Sequence, residues 1–134
     1  MSLRPAAPTL FFDRDVGIRL PETLERLRLG VPIEFHQKHF PQDAKDDEWM
    51  PEIGARGWTL IGHDSRHHLV AAERAAIMDY QLGCFYLWGN SAPLWEKMRC
   101  FLRAFERILH TIQTSRPPFI FRITETGRLT RIAL

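Results

Sequence analysis

Acidic residues follow two apolar segments of the chain, at the points where strands are expected to end. Asp13 and Asp15 come directly after the run 9–12, and Asp64 follows the run 58–61. In an open α/β sheet, ligands bind in the crevice at the carboxyl ends of the strands, so these acids are expected to converge. Crowded carboxylates repel one another unless a cation joins them, and Mg²⁺ and Mn²⁺ prefer oxygen ligands. The pattern favours metal-dependent nuclease chemistry, in which such an ion activates water.

A third acidic group stands at the start of a predicted helix. It consists of Asp46, Asp47 and Glu48, and carboxylates are favourable near the amino end of a helix. We expect this helix to begin at the edge that carries Asp13 and Asp64. In the leading mechanism these two acids and one helical acid hold one or two Mg²⁺ or Mn²⁺ ions, and the spacing leaves the choice of helical acid open.

Two arginines lie beside the strand-end acids. Arg14 follows Asp13, and Arg66 lies two residues after Asp64. The planar guanidinium group grips phosphate with two parallel hydrogen bonds, so both are predicted to bind a phosphodiester. The alternative interpretation is that Arg14 only neutralises its acidic neighbours.

Composition limits the class of protein. The chain has 134 residues, 45% of them hydrophobic, and a net charge of +2, which suits one domain that needs no disulfides. This charge is too mild to indicate nucleic-acid binding by itself. Cys84 and Cys100 lack metal or redox spacing and are predicted to be buried thiols of a reducing compartment. The sequence contains no apolar signal core and no membrane-length apolar run, so a cytoplasmic protein without membrane contact is expected.

Predicted strands and helices alternate along the chain. This order implies a mainly parallel sheet with helices on both faces, hence a three-layer α/β/α sandwich. The prediction is a single domain over 1–134, with an N-terminal extension at 1–8 and a C-terminal β-hairpin at 117–134. The predicted elements are strand 9–13, a helix ending at 29, an edge strand at 31–35, a loop at 36–45, helix 46–56, strand 58–63, helix 68–80, strand 84–88, helix 92–114, and hairpin strands 119–123 and 129–134.

Four motifs give the chain a resemblance to a known family. They are Phe11-Phe12-Asp13-Arg14-Asp15-Val16-Gly17, Phe40-Pro41-Gln42-Asp43, Asp46-Asp47-Glu48-Trp49-Met50 and Gly57-Trp58-Thr59-Leu60-Ile61-Gly62-His63-Asp64-Ser65-Arg66. In order and spacing, over about residues 9–125, the chain resembles the PIN-like domains of VapC-type toxins. The resemblance implies a Mg²⁺- or Mn²⁺-dependent ribonuclease that acts on RNA. It also implies inhibition by an antitoxin encoded in the adjacent gene and allows a homodimer, for which the exposed side of the long helix is a candidate surface.

The resemblance also implies roles for individual residues. Asp13 takes the place of the first acid, Asp64 that of the acid after the third strand, and Asp47 is our choice among the helical acids for catalysis. Asn90 stands where many relatives have a fourth acid or amide, and Asp15 is expected to assist from beside the ligands. This chain has Gly62 where relatives usually have Ser or Thr, so a hydroxyl that could orient a ligand is missing.

Other interpretations of these residues remain open. Asp13, Asp64 and either Asp46 or Asp47 are each placed where a side chain could cap a helix. The first motif also resembles that of haloacid-dehalogenase-type phosphatases, but its fifth position is Gly17, and the chain does not supply the required lysine and later acidic pair in a suitable place. A second alternative is a PIN-like binding module without catalysis.

Histidines and tryptophans offer further chemistry, which we judge weaker. His63, His67 and His68 cluster, but they straddle a strand-to-helix connection and lack a complete zinc motif. Structural or solvent-facing roles are therefore expected for them. The four tryptophans could stack on bases, but they fall in apolar patterns typical of a core.

Overall fold

The computed structural model describes residues 7–63 and 71–134. Six strands and five helices follow one another in this part of the chain. The strands are β1 (Leu10–Phe12), β2 (Ile33–Phe35), β3 (Thr59–His63), β4 (Gly83–Leu87), β5 (Phe119–Ile123) and β6 (Leu129–Ile132). The helices are α1 (Arg19–Arg26), α2 (His36–His39), α3 (Asp46–Arg56), α4 (Ala71–Asp79) and α5 (Leu94–Thr114).

All six strands form one sheet, in the order β2-β1-β3-β4-β5-β6. The first five strands are parallel, and β6 returns antiparallel to β5 as the predicted C-terminal hairpin. Every residue of β1, β3 and β4 is buried, as expected for parallel strands covered on both faces. β2 lies at the sheet edge, which suits the proline that directly precedes it.

Two apolar clusters cover the two faces of the sheet. One packs α1 and α5 against residues such as Phe12 and Phe85, and the other packs α3 and α4 against Phe11 and Cys84. The protein therefore has the predicted three-layer α/β/α architecture. Both cysteines are free and buried, as predicted. No helix in the described ranges is long and apolar enough to cross a bilayer.

The strand order creates a crevice beside β1. The chain leaves β1 for β2 on one side and returns to β3 on the other side, so the direction of winding changes between β1 and β3. In α/β sheets, ligands bind outside the carboxyl ends of the strands at such a point. β1 and β3 are aligned there, with Phe12 opposite Ile61, so the residues that follow Phe12 lie at the mouth of the crevice.

The predicted boundaries need correction at two places near this crevice. The first helix was predicted to follow β1 directly, but a 3-10 turn spans Arg14–Val16 and α1 begins only at Arg19. Gly17, at φ 79°, separates the two. The segment predicted as a polar loop contains α2, in which His36 is fully buried. Burial among aromatic rings, including an edge contact with Trp49, outweighs the polar character of this segment.

Candidate active site

A cleft of about 850 Å³ lies at the carboxyl ends of the strands, between the 3-10 turn, α3 and α4. Six of its lining residues are acids, among them Asp13, Asp15, Asp46, Asp47 and Glu73. Lys45 and Arg14 supply positive charge at the rim, and small or apolar side chains of α3 and α4 form the remaining wall. Asp79 at the end of α4 adds a sixth carboxylate.

Asp13 is fixed between the first strand and the turn. Its backbone N–H donates to the carbonyl of Ile61 (2.9 Å), which ties the end of β1 to β3. Its Oδ1 accepts from the backbone N–H of Arg14 (2.6 Å) and so caps the 3-10 turn. Burial, reinforced by the negative charge of Asp15, raises the pKa of Asp13 to about 7. Without a neutralising cation, this carboxyl group therefore keeps its proton to a much higher pH than an ordinary aspartate does.

Asp15 lies on the other side of the same turn. Its side chain keeps contact with solvent, but the surrounding protein still disfavours its charged form. Burial is the main cause that raises its pKa to about 6, and the nearby carboxylate of Glu73 adds to the shift. The cleft thus holds acids whose repulsion a bound cation would relieve.

The helical acids differ in their placement. Asp46 and Asp47 line the cleft, whereas the exposed Glu48 does not. The Oδ1 atom of Asp46 accepts hydrogen bonds from Arg14 and from the indole N–H of Trp49, both at 3.2 Å. None of the three caps α3, because Lys45 holds the N-cap position and no side chain bonds there. The choice among them as ligand stays a prediction, with the cleft favouring Asp46 and Asp47.

Arg14 joins three segments of the site. Its Nη1 group donates to the backbone carbonyls of Gln42 (3.1 Å) and Ala44, and its Nη2 group donates to Asp46. The guanidinium group thereby holds the loop before α3 and the first residue of α3 against the 3-10 turn. The predicted phosphate contact of Arg14 stays a prediction, and these protein contacts already occupy both of its terminal nitrogens.

Several predicted site residues are either outside the described part of the chain or absent from the cleft lining. Asp64 and Arg66 fall outside the described residues, as do His67 and His68. Asn90 is exposed after β4 at the same edge of the sheet, but it is not among the described residues that line the cleft.

Glu73 and Tyr86 are site residues that the sequence analysis missed. Glu73 reaches the cleft from the first turn of α4, and its Oε1 atom accepts a hydrogen bond from the Tyr86 hydroxyl (3.0 Å). Burial raises the Glu73 pKa despite this bond. A helix that follows β3 must begin near the carboxyl edge, so an acid in its first turn was the available signal.

The structure also accounts for Gly62. A Cβ atom added there would lie 3.3 Å from two ring atoms of Tyr86 and 4.0 Å from the Oδ1 atom of Asp15. The tyrosine ring thus occupies the space over this glycine, and its hydroxyl reaches the acids of the cleft. The chain therefore has a hydroxyl donor beside the acids, although residue 62 carries none.

Comparison with known families gives a match to the PIN-like domain over residues 8–89, more than half of the chain. The chain belongs to the PIN-like domain family. No curated protein and no solved structure matches it.

The matched segment of the PIN-like domain contains β1 to β4 and the cleft acids contributed by the 3-10 turn, α3 and α4. It stops before α5, β5 and β6. Since PIN-like domains are commonly nucleases, membership indicates a nuclease-type function in general terms.

The donor chemistry of the cleft fits a hard divalent cation, because its acidic side chains offer only carboxylate oxygens. In the described ranges, no three His, Cys, Asp or Glu side chains are placed closely enough to hold a metal ion. Asp13, Asp15 and Glu73 nevertheless all have raised pKa values, with burial as the first cause. These acids would gain from a cation, and Asp64 is the further ligand that the sequence predicts.

The described histidines of this PIN-like domain do not line the cleft. His36 is fully buried, neither of its ring nitrogens has a hydrogen-bond partner among the described residues, and burial lowers its pKa. Burial, followed by the charge of Lys97, also lowers the pKa of His63. Both rings are therefore favoured in the neutral form, and the buried position of His63 agrees with the structural role predicted for it.

Proposed function

We propose that this PIN-like protein is a Mg²⁺- or Mn²⁺-dependent endoribonuclease of the VapC toxin type. The carrying observation is the cleft at the switch point of the sheet, where Asp13 and Asp15 have raised pKa values beside Asp46 and Asp47. An inert scaffold would have no reason to keep such repulsion. Asp13, Asp64 and a helical acid, with Asp47 as first choice, would hold the cation, and Glu73 lies close enough to the cleft to assist.

The metal, when bound, activates water and offsets the negative charge that develops on the phosphodiester. The chain's own residues prepare the site. Asp13 must lose its proton before it can act as a ligand, and the Arg14 contacts hold Asp46 and the start of α3 in place. Lys45 at the rim supplies a cation for the RNA phosphate. Hydrolysis by in-line attack leaves a 5′-phosphate on one product and a 3′-hydroxyl on the other.

The test is cleavage of single-stranded RNA by the purified protein in Mn²⁺, in Mg²⁺ and in EDTA, followed by analysis of the product ends. We expect cleavage with either metal, none in EDTA, and none for Asp13→Asn. Ends bearing 2′,3′-cyclic phosphate would show that the RNA 2′-hydroxyl is the nucleophile and would refute this mechanism. Glu48→Gln is the matched control, because Glu48 belongs to the same acidic group but lies outside the cleft lining.

A PIN-like binding module without catalysis is the second candidate. The feature that favours it is Gly62, because this position lacks the hydroxyl that could orient a metal ligand. If the protein binds RNA but does not cleave it in Mn²⁺, in Mg²⁺ or in EDTA, the binding module is the better description.

The proposed type carries a proposed partner, an antitoxin encoded in the adjacent gene. A basic antitoxin side chain that enters the cleft would satisfy the carboxylates of Asp13 and Asp15, neither of which forms an ion pair within residues 7–63 and 71–134. Co-expression with the neighbouring gene should therefore give a complex that weakens in the double variant Asp13→Asn, Asp64→Asn. A complex that is indifferent to these changes would place the antitoxin elsewhere.

A further inference from the structure

Positive charge is concentrated in the part of the chain that the family match does not cover. Residues 90–134 contain eight lysines and arginines and three glutamates. Residues 1–89 contain ten lysines and arginines and thirteen acids. Since residues 90–93 carry no charged side chain, the excess belongs to α5 and to the chain beyond it. The acidic cleft and this basic region thus lie in different parts of the fold.

Three arginines form a stripe along α5. Arg99, Arg103 and Arg107 recur at four-residue spacing, so they share one side of the helix, about 6 Å apart along its axis. All three are exposed, and none forms an ion pair with a carboxylate within residues 7–63 and 71–134. Arg107 donates to the carbonyl of Gly127 (3.3 Å), which holds its guanidinium group toward the hairpin. We call these three residues the arginine stripe.

Aromatic surface lies at both ends of the arginine stripe. Trp95, one turn before Arg99, is 61% exposed, and the Arg99 guanidinium carbon lies 5.2 Å from the centroid of its ring. At the other end, a groove of about 620 Å³ runs between Arg107 and Arg128 over the ring of Phe121. An exposed tryptophan and a partly exposed phenylalanine beside arginines are suited to stacking on the bases and binding the phosphates of a single strand.

The stripe begins at the edge of the sheet that carries the cleft. α5 follows β4, so its first turn lies at the carboxyl edge. Lys97 in this turn is close enough for its charge to act on His63, the last residue of β3. An RNA strand that leaves the cleft across this edge would meet Lys97 first and then the stripe.

We propose that Trp95 and the arginine stripe bind the phosphate backbone and bases of single-stranded RNA outside the cleavage site. The inference rests on the proposed function in that RNA is taken as the substrate. A homodimer through this face is less favourable, since a two-fold contact centred on the stripe would place arginines against arginines. The regular 6 Å spacing with an exposed tryptophan also suits a nucleic acid better than an acidic peptide.

The test measures RNA binding in EDTA, where metal-dependent cleavage cannot occur. Fluorescence anisotropy of a labelled single-stranded RNA is recorded from about 50 to 200 mM KCl, because each phosphate contact contributes about −0.7 to the slope of log K against log [salt]. The triple variant Arg99→Gln, Arg103→Gln, Arg107→Gln should reduce the magnitude of this slope by about 2. Trp95→Ala should weaken binding by at least about fivefold without changing the slope.

The matched control removes the same charge from the opposite edge of the sheet. Arg26, Arg28 and Arg116 are exposed near the amino ends of β2 and β5, and their triple glutamine variant should keep the parental slope. Circular dichroism and gel filtration report folding and oligomeric state for each protein.

Three outcomes would overturn the inference. The first is that the parent does not bind RNA. The second is that the two triple variants have equal slopes of log K against log [salt]. The third is that only the stripe variant loses a dimer, which would make the stripe an interface between copies. Stripe-dependent binding without any metal-dependent cleavage would refute the proposed nuclease and leave the RNA surface intact. Metal-dependent cleavage together with equal salt slopes for the two triple variants would support the nuclease and refute the RNA surface.

Discussion

Asp13 is the residue whose chemistry depends most on its surroundings. Its pKa of about 7 arises from burial and from the charge of Asp15, against an ordinary value of 3.8. A carboxyl group whose pKa is raised by folding stabilises the metal-free protein at low pH, and this contribution is lost as pH rises through the folded-state value. Asp13 thus makes the metal-free cleft less stable in the pH range where a metal would bind.

The first prediction compares the parent with Asp13→Asn in EDTA. From pH 5 to pH 8 the parent should lose about 2 kcal/mol of unfolding free energy relative to the variant, because only the parent must ionise Asp13. Urea unfolding at both pH values measures the difference. The comparison between proteins cancels His36 and His63, whose lowered pKa values act in the opposite direction. A pH-independent difference would show that Asp13 ionises normally.

Tyr86 gives the second prediction at this scale. Tyr86→Phe keeps the ring over Gly62 but removes the hydrogen bond to Glu73. If Glu73 assists the cation, Mn²⁺ affinity should fall by about tenfold, as is common for groups that orient ligands, with the metal-free stability changing by about 1 kcal/mol or less. Mn²⁺ titration followed by thermal melting measures both. When Glu73 is already replaced by Gln, Tyr86→Phe should have little further effect on Mn²⁺ affinity. An equally large effect in that variant would show that Tyr86 does not act through Glu73.

At the scale of elements, the site depends on how the 3-10 turn is attached to α3. Arg14 provides this attachment through the carbonyls of Gln42 and Ala44 and the carboxylate of Asp46. The carbonyl of Ala44 lies in a buried residue, so losing its donor is costly. The placement of Asp46 relative to the acids of the 3-10 turn therefore depends on the side chain of Arg14.

The third prediction follows from this attachment. Arg14→Gln should lower the unfolding free energy by about 1 to 3 kcal/mol, since it removes the donor to the partly buried carbonyl of Ala44 and two exposed contacts. Mn²⁺ affinity should fall with it, and Arg14→Lys should restore part of both. Chemical unfolding and metal titration measure the two quantities. If stability is unchanged and only the KM for RNA rises, Arg14 acts as the predicted phosphate ligand instead.

Some elements and contacts of this fold could be predicted from the sequence, and others could not. Apolar runs predicted the central strands, and the 3.6-residue period predicted α5, because both patterns report burial directly. The convergence of Asp13 with the helical acids was also predictable from strand order. The contacts of Arg14 were not, since its partners lie 28 to 32 residues away. α2 was missed because all four of its residues are polar, and the one that is buried, His36, becomes so only through tertiary packing.

At the scale of the whole molecule, metal binding and folding are linked. A cation that binds only the folded protein stabilises it by about 2.7 kcal/mol at 100 times the dissociation constant. The fourth prediction is that Mn²⁺ raises the melting temperature of the parent, whereas Asp64→Asn gains little from Mn²⁺ and loses RNA cleavage. Without metal, this variant should melt no lower than the parent, because under the proposed site it has one carboxylate fewer among the repelling acids.

Differential scanning calorimetry in EDTA and in Mn²⁺ provides the measurement, with Glu48→Gln as the control outside the cleft. A clear loss of metal-free stability with the Mn²⁺ shift preserved would mean that Asp64 is a helix cap or a core hydrogen-bond partner.

Strand β5 pairs with β4, although the family match ends between these two strands. The ring of Phe85 on β4 packs 5.6 Å from Phe119 and 5.7 Å from Phe121 on β5, yet the family match ends at residue 89. A fragment cut at that boundary would expose this aromatic face and leave β4 as a long, apolar sheet edge open to pairing with other chains. The segment matched by the family, residues 8–89, is therefore too short to serve as a self-contained expression unit, and α5 and the hairpin must stay attached when the domain is transplanted or fused.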